Sequence, residues 1–175
     1  MKTKFLLLFT IITFLTACKS DETTQGSMTK AYLIGDWNLV YRGIEDGTIN
    51  IDLEDGNVMS GNCTIVAKDI DIVFSFSDTP KALSIQGKCT TESTFTFLGE
   101  THTETEYFDS YSVSVPIPTP WKLNADNTIK IDETTYFIKE FSKNSLKLSA
   151  EYNEIVDYVG QKVTIKGTKN IVLEK

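Results

Sequence analysis

The sequence predicts an all-β domain of about 8–10 antiparallel strands, arranged as a barrel or a sandwich. Three observations carry that prediction. Apolar residues recur with a period of two along most of the chain after Gly35, as in strands with one face in a core and one in water. Turn-forming residues interrupt the alternation at intervals of about 8–12 residues. No stretch after residue 29 shows the 3.6-residue period of a long amphipathic helix.

The N-terminal residues stand outside this pattern. Lys2 and Lys4 give a positive start, and Phe5 to Leu15 is apolar except for Thr10 and Thr13. A helix of that length reaches only about 16 Å, too short for a bilayer core of about 30 Å. A basic start, a short apolar middle and small residues before a cut mark an export signal. Leu15-Thr16-Ala17-Cys18 resembles the lipobox of bacterial lipoproteins. The resemblance implies that residues 1–17 are a signal peptide and that Cys18 becomes the first mature residue, carrying acyl chains such as palmitate. Each buried methylene contributes about 0.8 kcal/mol, so two or three chains hold firmly where one does not. No later segment approaches the length of a membrane-spanning apolar helix. Lys19 follows the Cys, where Asp marks inner-membrane retention in some lipoproteins, so the resemblance implies the outer membrane. Asp21 and Glu22 resemble the tether of surface-exported lipoproteins, and the periplasmic and outer surfaces both stay open. Thr23 to Ser27 is polar, so 18–29 reads as lipidated Cys plus flexible tether and 30–175 as one domain.

Within the domain, Lys30 to Ile34 is expected to form a turn of helix. Trp37, Leu39 and Tyr41 share one face of the first strand, with Asn38 and Arg42 opposite. Glu45-Asp46-Gly47 reads as a turn, Ile49, Ile51 and Leu53 as the next face, and Asp55-Gly56 as a second turn. The phase is unclear from Gly61 to about Ile70. Ile70, Ile72, Phe74 and Phe76 then line one face up to Asp78-Thr79-Pro80. Leu83, Ile85, Gly87, Cys89, Phe95 and Phe97 alternate over a span long enough to need a bulge or bend near Gly87 or in Cys89 to Ser93. Leu98 to Glu106 reads as a polar connection, and Tyr107, Tyr111, Val113 and Val115 as a further face. Pro116, Pro118 and Pro120 lack the N–H that a ladder needs, so their segment is expected to cross as an extended loop. Trp121 to Asn124, a turn at Ala125-Asp126-Asn127, and Thr128 to Ile131 form the clearest hairpin. Thr135 to Phe141, the Leu146-Leu148-Ala150 face and Gln161 to Leu173 complete the sheet, with a bulge expected at Gly167.

Composition narrows the function classes. The chain carries 17 basic and 24 acidic residues, a formal charge of −7; two of the bases and none of the acids lie in the leader, which takes the remainder to −9. Such a surface repels phosphate backbones, so no nucleic-acid partner is expected. With Cys18 lipidated, Cys63 and Cys89 are left as an even pair in an oxidising compartment. A disulfide between them would close a loop of about 26 residues, worth roughly 3 kcal/mol. Two buried free thiols and two metal ligands are the alternatives. The chain has a single His and no Cys-x-x-Cys, which argues against a metal site.

Gly35-Asp36-Trp37 resembles the Gly-x-Trp opening of the lipocalins. With Trp121 to Thr128, Tyr136-Phe137-Ile138-Lys139 and Ser145-Leu146-Lys147-Leu148, residues 30–175 are similar to the lipocalin-like domains of bacterial lipoproteins. The resemblance implies an up-and-down β-barrel with Trp37 plugging its closed end. It departs from the pattern in two places. Lipocalins carry a late Arg on the motif Trp, whereas the single Arg here is Arg42; Val156-Asp157-Tyr158 only loosely matches their Thr-Asp-Tyr loop.

Catalytic motifs are wanting. His102 sits among Thr and Glu with no Gly-x-Ser-x-Gly elbow in the chain, and reads as an exposed hairpin residue. Asp46, Asp52, Glu54 and Asp55 crowd near glycines but do not fit the EF-hand spacing, and read as acidic turns. Glu100, Glu104, Glu106 and Asp109 read as a solvated face. The expectation is therefore a non-enzymatic, lipid-anchored envelope protein with no cofactor and no metal. Two roles compete. One is a barrel that takes a small hydrophobic ligand between Trp37, Phe74, Phe76, Phe95, Phe97, Tyr111 and Trp121. The other is a structural or interaction module whose interior is packed and whose loops, such as 98–106 or 116–120, meet an envelope protein. Free volume in the interior separates them.

Overall fold

The computed structural model describes residues 30–110, 118–158 and 161–175. Residues 1–29, with the expected signal peptide, Cys18 and the expected tether, and Tyr111, Val113, Val115 and Pro116 lie outside the described residues. A four-residue helical turn, α1 (Lys30–Leu33), leads into nine strands: β1 (Gly35–Asp52), β2 (Val58–Asp78), β3 (Lys81–Phe97), β4 (Glu100–Asp109), β5 (Trp121–Leu123), β6 (Thr128–Ile131), β7 (Thr134–Phe141), β8 (Ser145–Tyr158) and β9 (Gln161–Glu174). All pairings are antiparallel, in one sheet of order β4-β3-β2-β1-β9-β8-β7-β6-β5.

The all-β antiparallel expectation holds, but the barrel needs correction. The sheet is not closed: β4 and β5 are its two edges. Among the described residues one isolated bridge joins its halves, Leu83 with Thr119, each N–H donating to the other's carbonyl at 2.8 and 2.9 Å. Thr119 makes this bridge between two prolines, neither of which has an N–H to donate.

Strands of 18, 21 and 17 residues (β1, β2 and β3) far exceed the usual length of about 5–6. Bulges let them curve. One lies in β1, where Leu39 pairs with Leu173 and Tyr41 with Val172, leaving Val40 as the extra residue. A second spans Ile44 to Gly47, with Asp46 at φ 52°. The predicted turn at Glu45-Asp46-Gly47 is thus a kink inside one continuous strand. A third falls between Lys68 and Asp71, with Asp69 at φ 48°. It shifts β2 from inward Cys63 and Ala67 to inward Ile72, Phe74 and Phe76, so the unclear phase in this stretch is a change of phase. The bend expected in β3 is accommodated by its partner β2, opposite Cys89. Residues 98–106, read as a connection, contain a tight turn at Leu98-Gly99 followed by β4.

The apolar residues divide into two clusters. The larger includes Leu33, Trp37, Leu39, Phe74, Phe76, Leu83, Trp121, Ile129, Leu146, Leu148, Ile171 and Leu173. The smaller, at the other end of the long strands, has Ile49, Cys63 and Val163, flanked by partly buried Ile51, Phe95, Phe97 and Ile165.

Candidate functional site

The expected ligand-lining residues do not form one cavity. Trp37, Phe74, Phe76 and Trp121 are interior members of the larger cluster. Trp37 is fully buried, and its Nε1 donates to the Leu33 carbonyl at 2.8 Å, so α1 closes over the ring. Lys175 Nζ lies 4.5 Å from the Trp37 ring centroid and donates to the carbonyls of Tyr32 and Ile34. A late cation thus covers this Trp, though it is Lys and not Arg. Trp121 Nε1 donates to the carbonyls of Ser77 (3.1 Å) and Ala82 (3.2 Å), and its ring meets Phe76 edge-on at 5.7 Å. Both indoles are therefore satisfied by protein, as buried indoles normally are. Phe95 and Phe97 belong to the smaller cluster, and Tyr111 is outside the described residues.

The expected Cys63–Cys89 disulfide is corrected as well: both are buried free thiols. Cys63 of β2 pairs with Phe95 of β3, while Cys89 lies six positions away on that strand. Six residues of strand span about 20 Å, against a Cα separation of under about 7 Å for a disulfide. Burial pushes the Cys63 thiol pKa up, so it stays protonated and unreactive.

The remaining candidates are ordinary surface groups. His102 is exposed on β4, its Nε2 3.5 Å from Glu104. Asp55 accepts from the Asn57 backbone (2.9 Å) and side-chain amide (2.7 Å), which holds its carboxyl below the usual range and makes it a turn residue. Among the described residues, no three His, Cys, Asp or Glu side chains converge as a metal site.

Sequence reasoning missed one cluster. The extra residue at Val40 turns Tyr41 to the outer face and brings Arg42, which stays exposed, to the inner one. Arg42 stands opposite Ile171, and Ile171 opposite Leu148, so the only Arg of the chain shares the face of the larger cluster. Lys169 stands on the same face, opposite Ile44 and Ala150. Together with Gly43, Ile65, Ala67, Thr91 and Tyr152 these residues line a cavity of about 50 Å³ between the two apolar clusters. Lys169 Nζ is 5.8 Å from the Tyr152 ring centroid. Burial lowers the Lys169 pKa, the Arg42 charge lowers it further, and Glu154 opposes the shift. Neither cation has a carboxylate within ion-pair distance among the described residues. On the opposite face of β1, β2 and β3, Thr48, Asn50, Asn62 and Thr96 line an open groove of about 470 Å³ that ends at the exposed Leu98.

Comparison with known proteins adds no identity. No protein-family model matches the chain, nor does any curated protein or solved structure. The functional reading rests on the residues themselves.

Proposed function

We propose that this protein is a lipid-anchored lipoprotein of the outer membrane, attached through Cys18, that acts without catalysis as an interaction module for another envelope protein. The observation that carries this reading is the filled interior. Trp37, Phe76 and Trp121, foremost among the expected ligand contacts, are 0%, 2% and 3% exposed and are occupied by protein partners. Close-packed side chains leave a ligand no volume there. Recognition then falls to the surface. The polar groove beside Leu98 and the wholly exposed run Glu100 to Phe108 of edge strand β4 are the accessible features.

A lipocalin-like role, with a small hydrophobic ligand, is the second reading. It draws on Gly35-Asp36-Trp37 with Lys175 over the Trp, and on the partly buried strip of Ile51, Phe95, Phe97 and Ile165. One experiment separates the two. Full-length wild-type and Cys18→Ser proteins are cross-linked in their native envelope, fractionated and purified, and analysed by mass spectrometry with organic extraction. The expected result is a membrane-bound wild type with a stoichiometric protein partner, and a released variant. A stoichiometric lipid or pigment without a protein partner overturns the interaction reading, and a variant still in the membrane overturns the anchor.

A further inference from the structure

We propose that Arg42 and Lys169 form a binding subsite for a carboxylate carried on an apolar body. The proposal stands apart from the interaction reading. It begins from a mismatch of charge. Acidic residues outnumber basic ones by 24 to 17, yet these two cations face one cavity and neither is bridged to a carboxylate among the described residues. Lys169 is half-buried and loses hydration, while Arg42 stays exposed at the rim of the cavity and repels it, so the unliganded arrangement costs stability that a bound anion would restore. The lowered pKa of Lys169, with burial its main cause and Arg42 next, reports that same cost.

The surroundings specify the ligand. A cavity of about 50 Å³ admits one small oxyanion group and no larger body. Arg42 offers a planar fork of donors that matches a carboxylate, and Lys169 a second positive charge. Thr91 and Tyr152, also in the lining, can add hydroxyl contacts. Away from the larger cluster, the same face runs from Ile44 and Ile65 to Ile49, Cys63 and Ile165. Gly47 and Gly167 keep this path shallow: a Cβ on either would come within 2.7 Å of Cys63 Sγ or 2.6 Å of Ile44 Cγ2. A ligand whose head fills the cavity therefore lays its remaining atoms on apolar side chains. Glu154, which stands opposite Ile165 on the same face, places an acidic charge near Lys169 and competes with the ligand.

Isothermal titration of the purified full-length protein tests this with three probes: decanoate, acetate and inorganic phosphate. Decanoate is expected to bind at one site, and acetate and phosphate at least about tenfold more weakly. Arg42→Gln and Lys169→Met should each weaken decanoate by about tenfold or more, Glu154→Gln should strengthen it, and Lys122→Gln on β5 should leave it unchanged. Should Arg42→Gln lose its fold by circular dichroism, Arg42→Lys, which keeps the charge and loses the fork, is expected to weaken binding by a smaller factor. Absence of saturable decanoate binding, or binding indifferent to both Arg42 and Lys169, overturns the site. Phosphate binding tighter than decanoate overturns the carboxylate, and acetate binding equal to decanoate overturns the apolar body.

Discussion

Single side chains show how a one-residue shift changes chemistry. Without the extra residue at Val40, Tyr41 would continue the inward face of Trp37 and Leu39; with it, Tyr41 points outward and its hydroxyl donates to Glu45 at 2.6 Å. Burial first, then the hydrogen bond and charge of Glu45, push its pKa from 10.0 up to about 12. The folded chain therefore keeps this proton where the unfolded chain has lost it. Its contribution to stability is full below pH 10.0 and is lost as pH rises to about 12. Tyr41→Phe should show a flatter fall in denaturation midpoint across that window than wild type, with unchanged fluorescence of the buried tryptophans. Equal slopes for the two proteins would refute the assignment.

At the scale of elements, strand pairing decides what adjacent bulges and glycines must do. Gly87 of β3 pairs with Ile72, just past the irregular stretch of β2, and has φ +126°. A Cβ there would sit 1.8 Å from the Asp71 carbonyl oxygen and 2.7 Å from Ile72 Cα, both backbone atoms of a neighbouring strand. Gly87→Ala should therefore cost more than about 2 kcal/mol in denaturant unfolding. Gly56 has φ +82° but nothing within 4 Å of such a Cβ, so Gly56→Ala should cost only about 1 kcal/mol of backbone strain. Similar costs for the two would mean that the β2 backbone yields. The Gly87 alternation was legible in the sequence, as was the need for a bend nearby. That β2 supplies the irregularity was not, because a bulge is the property of a strand pair.

Across the whole molecule, long strands connect a larger apolar cluster to a smaller one. Both faces and both ends of the sheet are therefore unequal in stability. Amides around Leu39, Leu146 and Leu173 are flanked by strands on both sides and lie over the larger cluster, whereas β4 is an edge strand exposed from Glu100 to Phe108. Hydrogen exchange followed by NMR should protect the first group most and β4 least. Comparable protection of β4 would show that its outer edge is covered in solution.

Local pattern was enough to determine the all-β antiparallel class, the hairpin of β5 and β6, the phase of β3 and β9, and the inward direction of Trp37, Phe74 and Phe76. Each is a period-two property, set by which side of a strand is apolar. Tertiary structure decided the rest. Sheet closure depends on whether edges meet, and here a proline-flanked Thr119 supplies one bridge. Cysteine pairing depends on register, and six positions separate Cys89 from the partner of Cys63. The place of Arg42 depends on one extra residue in β1, which reverses the side chains from Tyr41 to Ile44, until the second bulge, and brings the chain's only guanidinium to the face where Lys169 stands.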